Sequence, residues 1–504
     1  MGNGLNGESF AVTRKTRSRS SRVTRFGTKL AGLALAAMLL MPPAAAFAAE
    51  PEGSGVSPAV GEVLDWLSRV HVSGTDRSAL EAAAIKGMID SLGDPYTQYM
   101  TAAEWNQFES SLEQRYVGIG VRLEQDERGF LVIEVFAGSP AEAVGMRAGD
   151  YIVAADGKSY AGKTMNELTA AIMGTADTKV DVTYVRDGDT KTSTMTRKPV
   201  AIQTVSGSRM EGGAGYIRID SFSSDADELF ASKLDELEKQ GITSLIVDLR
   251  GNPGGLLDSA SNIAKRFIKD GVLIHTSDRN HVDDPIRLSG GSTVAYPVTV
   301  LVDQNSASAS EVLSGALQDY RVATIVGTVT YGKGSVQTIY SIAGGGMLKV
   351  TIEEYLTPNK HKVNKVGIKP DVEVTGEIAQ TIKAVHLSGV ADVTIRQQPG
   401  GIVVNGTPFL ERLNVIRDKG RVYVPSRTLA ALVDADVAWN GDTKSVSIAA
   451  GGFSASYATG DDSGKFVDGT MYVALDAFAY AFDDVTWSDD AGVLTLHGVG
   501  SSRR

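Results

Sequence analysis

The sequence has no cysteine. That excludes disulfide staples, thiolate nucleophiles, and cysteine-held zinc or iron–sulfur centres, while a chain of 504 residues can be stabilised by burial alone. Histidine is scarce. His71, His275, His281, His361, His386 and His497 are the whole complement, none sits in a hydrolase signature, and there is no G-x-S-x-G elbow. Positive charge is also short: 49 Lys and Arg against 60 Asp and Glu leave a net charge of −11, which argues against a nucleic-acid partner. Long apolar runs are missing as well. The segment Leu30 to Met41, "LAGLALAAMLLM", falls short of the roughly 20 residues that a membrane span needs.

What is present begins with a leader. A basic cluster from Arg14 to Lys29 precedes that apolar run, and "AAAFAAE" follows it with small residues at Ala46 and Ala48. Together they read as a secretory signal over residues 1–49, or alternatively as an uncleaved N-terminal anchor. Either reading expects the remainder to be extracytoplasmic, secreted or held at the membrane or cell envelope.

The length suggests about three domains. After a short linker, residues 58–112 carry apolar positions at helical spacing and predict a helical N-terminal segment. Residues 113–198 switch to alternating apolar positions with glycine turns, closing in a hairpin at Asp187-Gly188. This β-rich stretch resembles a PDZ domain through "YVGIGV" at Tyr116–Val121 and "GSPAEAVGMRAGDYIVAADGKSY" after it. The resemblance makes Gly118, Ile119, Gly120 and Val121 the loop that binds a peptide's terminal carboxylate; the plainer alternative is a small β domain with a glycine turn. Residues 199–376 alternate strand and helix, which predicts an α/β layer with a mostly parallel sheet. "GNPGG" and "QNSASAS" both follow predicted strands, where such sheets build their ligand cleft. Residues 395–498 contain a duplication: Arg421–Ile448 returns as Thr470–Leu496, with Trp439 and Trp487 each nine residues before the closing apolar position.

Two short motifs carry the chemistry. "NSASASE" offers three serines, Ser306, Ser308 and Ser310, and a serine becomes nucleophilic only when a nearby base takes its proton. Lysine can be that base if burial drives its pKa from about 10.4 toward neutrality. Lys333, in "TYGKGSVQ", lies between Gly332 and Gly334, which allow a close approach of neighbouring backbone. Each motif alone also has a bland reading: a helix start capped by serine, and a solvated lysine on a glycine turn. "GNPGG" could cradle a phosphate, but no G-x-x-x-x-G-K-[ST] is present.

Taken in order, "LGDPYTQYM", "VDLRGNPGG", "SASASEVLSGALQDY", "VGTVTYGKGSVQ" and "YLTPNKHKVNKVGIKPDVEV" resemble the carboxy-terminal processing (tail-specific) proteases, serine/lysine peptidases that carry a PDZ domain. The resemblance spans about Leu92 to Val374. It implies a multidomain α/β protein: a crotonase/ClpP-like α/β core with an inserted PDZ domain. It also implies Ser308 as nucleophile, Lys333 as general base, Gln337 as the residue that orients the lysine, and the backbone N–H groups of Gly254 and Ala309 as the oxyanion hole. Glu311 and Asp319 also match family positions and are expected to be structural. Thr328-Val329 stands where many relatives carry Glu-Pro, a change expected to alter turn stiffness only.

The C-terminal α+β module resembles the copper amine oxidase N-terminal-like (stalk) domain found on secreted proteins of Gram-positive bacteria, through "VYVPSR" and the tryptophan strand. With His497 its one histidine, no metal and no cofactor are expected. The sequence thus predicts a secreted endopeptidase acting at or near the C-terminal tails of protein substrates and gated by its PDZ domain, with a cell-wall or envelope component as partner of the C-terminal module and a homodimer as an option. The alternative is a non-catalytic PDZ adaptor at the cell envelope.

Overall fold

The computed structural model describes residues 57–112, 115–201, 204–343, 345–398, 400–490 and 492–500. The expected leader, residues 1–49, lies outside them. Among the described residues no helix is long and apolar enough to cross a membrane.

The centre of the molecule is a six-stranded sheet in the order Val205–Arg209, Ala214–Ile219, Ser244–Asp248, Val298–Val302, Thr324–Gly327, Val372–Glu373. The first pairing is antiparallel and the other four are parallel. "SLIVD" and "VTVLV" are buried at every position, as strands covered on both faces must be. One face packs on the helices Ala226–Lys239, Leu257–Ala264 and Ala309–Asp319, around Phe230, Phe267, Leu313 and Val300. The other face, with Tyr216, Ile246, Leu301 and Val326, packs on helix Glu377–Leu387 and on the C-terminal module in one continuous apolar cluster.

A second sheet centres on the long strand Gly346–Leu356. It pairs with Ser335–Ile342, with Gly271–Asp278 and, at an edge, with Gln98–Met100. The N-terminal segment, expected to be helical, therefore also contributes a short strand. Apolar periodicity cannot reveal a three-residue strand, since it spans less than one helical turn.

The PDZ-like region folds around its own core of Ile119, Val121, Leu123, Val132, Leu168, Ile172 and Val182. Its sheet runs Val121–Asp126, Gly129–Val135, Tyr151–Ala155, Lys179–Arg186, Asp189–Thr196, so Val121–Asp126 is an edge strand. Asp187 and Gly188 both take positive φ (52° and 90°), the two-residue hairpin geometry that Asp-Gly favours. Helix Met165–Ile172 starts with a capping box between Thr164 and Glu167.

Each repeat of the C-terminal module is a strand, a short helix and two further strands, and the leading strands Arg421–Pro425 and Thr470–Ala474 pair antiparallel across the duplication. Phe409 meets Tyr216 of the central sheet edge-on at 4.9 Å, and the module and the sheet share a core.

Candidate active site

The site lies where the central sheet's loops meet the second sheet. After Val298–Val302 the chain turns through Asp303, whose carboxylate accepts from Gly251 N (2.9 Å) and Asn305 N (3.0 Å). Asn252 answers from the other loop: its carbonyl accepts from Ala307 N (3.0 Å) and Ser310 Oγ (3.0 Å). These bonds clamp "GNPGG" to "NSASAS", the two loops that the sequence placed at strand ends.

The three serines differ in what their hydroxyls do. Ser306 Oγ donates to Leu249 O (2.9 Å) and Ser310 Oγ to Asn252 O (3.0 Å). Ser308 Oγ is buried with no hydrogen-bond partner among the described residues. Ser308 also has φ 57° and ψ −114°, a conformation that costs a non-glycine residue on the order of 1–3 kcal/mol and holds it at the N-terminus of helix Ala309–Asp319. The positive end of that helix favours negative charge developing there.

Gly254 abuts Ser308. With φ 106°, a Cβ on it would lie 2.7 Å from Ala307 O, 2.8 Å from Ser308 Cβ and 3.0 Å from Ala309 N. Only glycine fits. Its N–H, expected to be an oxyanion donor, here donates to Asn252 Oδ1 (2.8 Å). The asparagine side chain competes for the same donor because the turn brings it back onto its own backbone. Ala309 N–H makes no hydrogen bond among the described residues.

Lys333 is 2% exposed. Burial, with Lys349 adding like-charge repulsion, pushes its pKa down to about 7; Glu311 and Asp94 oppose that shift. The flanking glycines have the role expected of them: a Cβ at 334 would overlap the Asn364 amide, and Gly332, at φ 86°, passes beside Val366 N. Lys333 Nζ sits over the ring of Tyr96, 4.9 Å from its centroid. No hydrogen bond joins it to Ser308 Oγ, which lacks any partner.

Two side chains hold the serine and lysine together by their backbones. Glu311 Oε2 accepts from Ser308 N (2.9 Å) and Lys333 N (2.8 Å), while Oε1 accepts from Gly332 N (2.7 Å) and Thr330 Oγ1 (2.5 Å). Burial raises the pKa of this carboxyl against those four bonds. Tyr355 OH faces the carbonyls of both Ser308 (3.2 Å) and Lys333 (3.0 Å). Asp319 stays at the far end of the helix, accepting from Asn359 N (2.7 Å). Gln337 is fully buried: Nε2 donates to Ser335 Oγ (2.9 Å) and Thr351 Oγ1 (3.3 Å), and Oε1 has no partner among the described residues.

Sequence reading gave no role to Asp94, Tyr96, Lys349 or Tyr355. The first two lie in "LGDPYTQYM", whose Asp94 accepts from Tyr96 N (3.0 Å) and Thr97 Oγ1 (2.6 Å); Thr97 Oγ1 in turn accepts from Thr351 N (3.1 Å). The signal was therefore present as a motif without a chemical reading.

In the PDZ-like region, Gly118 ends a strand paired with Lys198–Ala201, and Val121 opens the edge strand. Between them, Ile119 O accepts from Ala141 N (2.7 Å) and Gly120 O from Phe136 N (3.3 Å), while the N–H groups of Ile119 and Gly120 make no hydrogen bond among the described residues. Two unengaged donors beside an open strand edge suit a peptide carboxylate.

Comparison with known proteins agrees with this architecture. Residues 213–374 match the model of peptidase family S41, residues 117–196 a PDZ domain, and residues 403–496 the copper amine oxidase N-terminal domain. The carboxy-terminal processing protease CtpB of Bacillus subtilis (strain 168) is 36% identical over 323 residues, covering 62% of this chain and 67% of that protein. The "Probable CtpA-like serine protease" of Staphylococcus aureus (strain N315) is 34% identical over 329 residues, 65% of this chain and 66% of that one. The chain thus spans about two thirds of the length of these curated relatives. Among solved structures, the photosystem II D1 C-terminal processing protease aligns at 29% identity over 65% of this chain and 95% of its own, with a TM-score of 0.41. With its S41 core, PDZ domain and CtpB-like sequence, the chain belongs to the S41 family of carboxy-terminal processing proteases and is a serine-type peptidase.

Proposed function

We propose that the protein is an extracytoplasmic endopeptidase that cleaves protein substrates at or near their C-terminal tails, with Ser308 as nucleophile and Lys333 as general base. One observation carries this reading. The only serine of the three with an unengaged hydroxyl shares both the Glu311 carboxylate and the Tyr355 hydroxyl with a buried lysine whose pKa is down to about 7.

Ser308 Oγ attacks the scissile carbonyl as its proton passes to neutral Lys333 Nζ. The oxyanion forms beside Ala309 N–H and, once Asn252 releases it, Gly254 N–H. Lys333 then returns the proton to the leaving amine, and the acyl-enzyme is hydrolysed by a water that Lys333 deprotonates. Gln337 Oε1, buried and unpartnered, is available to accept from the ammonium and orient it. The PDZ loop at Gly118, Ile119, Gly120 and Val121 captures the substrate's terminal carboxylate, and movement of that domain gates the site.

Two partner readings accompany the activity. Helices Pro58–Val70 and Arg77–Asp90 have no buried residue, and Val60, Val63, Leu67 and Val70 form an exposed stripe at helical spacing that suits a second copy of the chain. Trp439 and Phe466 stack in the open at 5.0 Å on the C-terminal module, an aromatic surface suited to a cell-wall component.

The test is degradation of a soluble unfolded protein by purified enzyme. The wild type is expected to degrade it, with Ser308→Ala and Lys333→Ala inactive. Equal degradation by all three overturns the assignment, and binding without cleavage by the wild type returns the adaptor reading.

A further inference from the structure

The position of Lys333 Nζ raises a question that the catalytic reading leaves open. Ser308 Oγ and Gln337 Oε1 are both buried and unpartnered, and a polar atom left so is costly. The lysine amine satisfies neither and lies over the Tyr96 ring. A ring face attracts an ammonium, most strongly where water is excluded. Tyr96 is not placed there by chance packing: the Asp94 turn fixes its backbone, Thr97 pins that turn to Thr351, and Gln98–Met100 pairs with Gly346–Leu356. Thr351 is also the strand neighbour of Gln337. The N-terminal turn thus joins the same sheet that carries the orienting glutamine.

We propose that Tyr96 is a positioning residue that parks the Lys333 ammonium off Ser308, so that the resting site keeps its nucleophile and its base apart. This rests on the Ser308/Lys333 reading above. The side chain of Lys333 has two stations, the Tyr96 ring and the pair of orphaned oxygens at Ser308 and Gln337, and displacement of the ring transfers it from one to the other. Substrate entering beside Tyr96, or movement of Tyr331 next to it, shifts the balance toward the serine. The groups that face Lys333 are Asp94 and Tyr96 from the N-terminal turn, Lys349 and Tyr355 from Gly346–Leu356, and Glu311 from the helix. Among the described residues only the Tyr96 ring lies under the Lys333 amine, whereas Tyr355 meets the Lys333 backbone through its hydroxyl, so removal of the Tyr96 ring is separable from theirs.

The experiment measures how fast an alkyl fluorophosphonate labels Ser308 in the full-length protein between pH 5 and 9. Tyr96→Leu removes the π face and is expected to label roughly 3- to 30-fold faster at neutral pH, the span from an exposed to a desolvated cation–π contact, with its acid limb moved to lower pH because the ammonium has lost a partner. Tyr96→Phe keeps the ring and is expected to restore the wild-type rate and limb. Tyr96→Met, which fills the space without a π face, stands in if the leucine variant does not fold. Labelling in Tyr96→Leu or Tyr96→Met that is no faster than wild type overturns parking, as does a Tyr96→Phe rate equal to that of Tyr96→Leu. Wild-type labelling that survives in Lys333→Ala overturns the site reading and parking together. Wild-type labelling that requires Lys333 leaves the Tyr96 variants to judge parking alone.

Discussion

Lys333 shows what a buried lysine costs its fold. Its charged form loses water on burial and meets Lys349, and the opposing charges of Glu311 and Asp94 do not compensate, so the pKa comes down to about 7. In the unfolded chain the same amine titrates near 10.4. Below pH 7 both states are protonated and the folded state bears the full burial penalty. Between about pH 7 and about 10.4 only the unfolded chain keeps the proton, so stability rises with pH and the penalty is relieved. Replacing Lys333 by Met, which fills similar space without charge, is therefore expected to raise stability at pH 6 by an amount on the order of a few kcal/mol, with the gain shrinking above pH 8. Urea unfolding of the two proteins across that range checks this; a Lys333→Met protein less stable than wild type at pH 6 would contradict it. The sequence exposed the lysine through its flanking glycines, but not its depressed pKa. That value depends on burial and on Lys349, which reaches the site from the strand Gly346–Leu356 that no spacing rule joins to Lys333.

At the scale of elements, the parallel sheet and the loops after it were legible because their physics is local. Two five-residue apolar strands need cover on both faces, and glycine- and serine-rich turns at their ends form the cleft. The interlock of those turns was not legible. Gly254 lies against Ser308 so closely that any Cβ collides, and Asn252 spends its side chain on the Gly254 amide while its carbonyl holds Ala307 and Ser310. Residue type announces glycine's freedom, not which neighbour uses it. The choice among Ser306, Ser308 and Ser310 has the same character. Sequence alone offered all three, resemblance favoured Ser308, and hydrogen bonding leaves Ser308 as the one with an unengaged hydroxyl.

At the scale of the whole molecule, the C-terminal module is more than an appendage. Its Val424, Leu429, Val473 and Phe478 belong to the apolar cluster that covers one face of the central sheet. Arg250, four residues before Gly254, donates to Glu377 O (2.7 Å) and Glu411 Oε1 (3.1 Å), tying the candidate oxyanion turn to this half of the protein. Arg412 pairs with Glu124 (3.0 Å) on the PDZ edge strand, so the module touches the PDZ domain too. The duplication was readable from repeated strand and helix patterns; the shared core was not, because an apolar residue does not state which surface it covers. Deleting residues 395–498 is expected to expose Tyr216, against which Phe409 packs, and to yield an aggregated or unfolded protease. Size-exclusion chromatography and thermal unfolding of the truncated chain would show it, and a soluble, cooperatively folded and active truncation would contradict it.

The most direct measurement is the rate at which a fluorophosphonate modifies Ser308 in the wild-type protein as a function of pH, alongside Lys333→Ala. A rate that climbs through a single ionisation near pH 7 and vanishes in the variant is the result that follows from a neutral lysine amine activating this serine. A profile that is flat through neutrality, or that persists without Lys333, would contradict it.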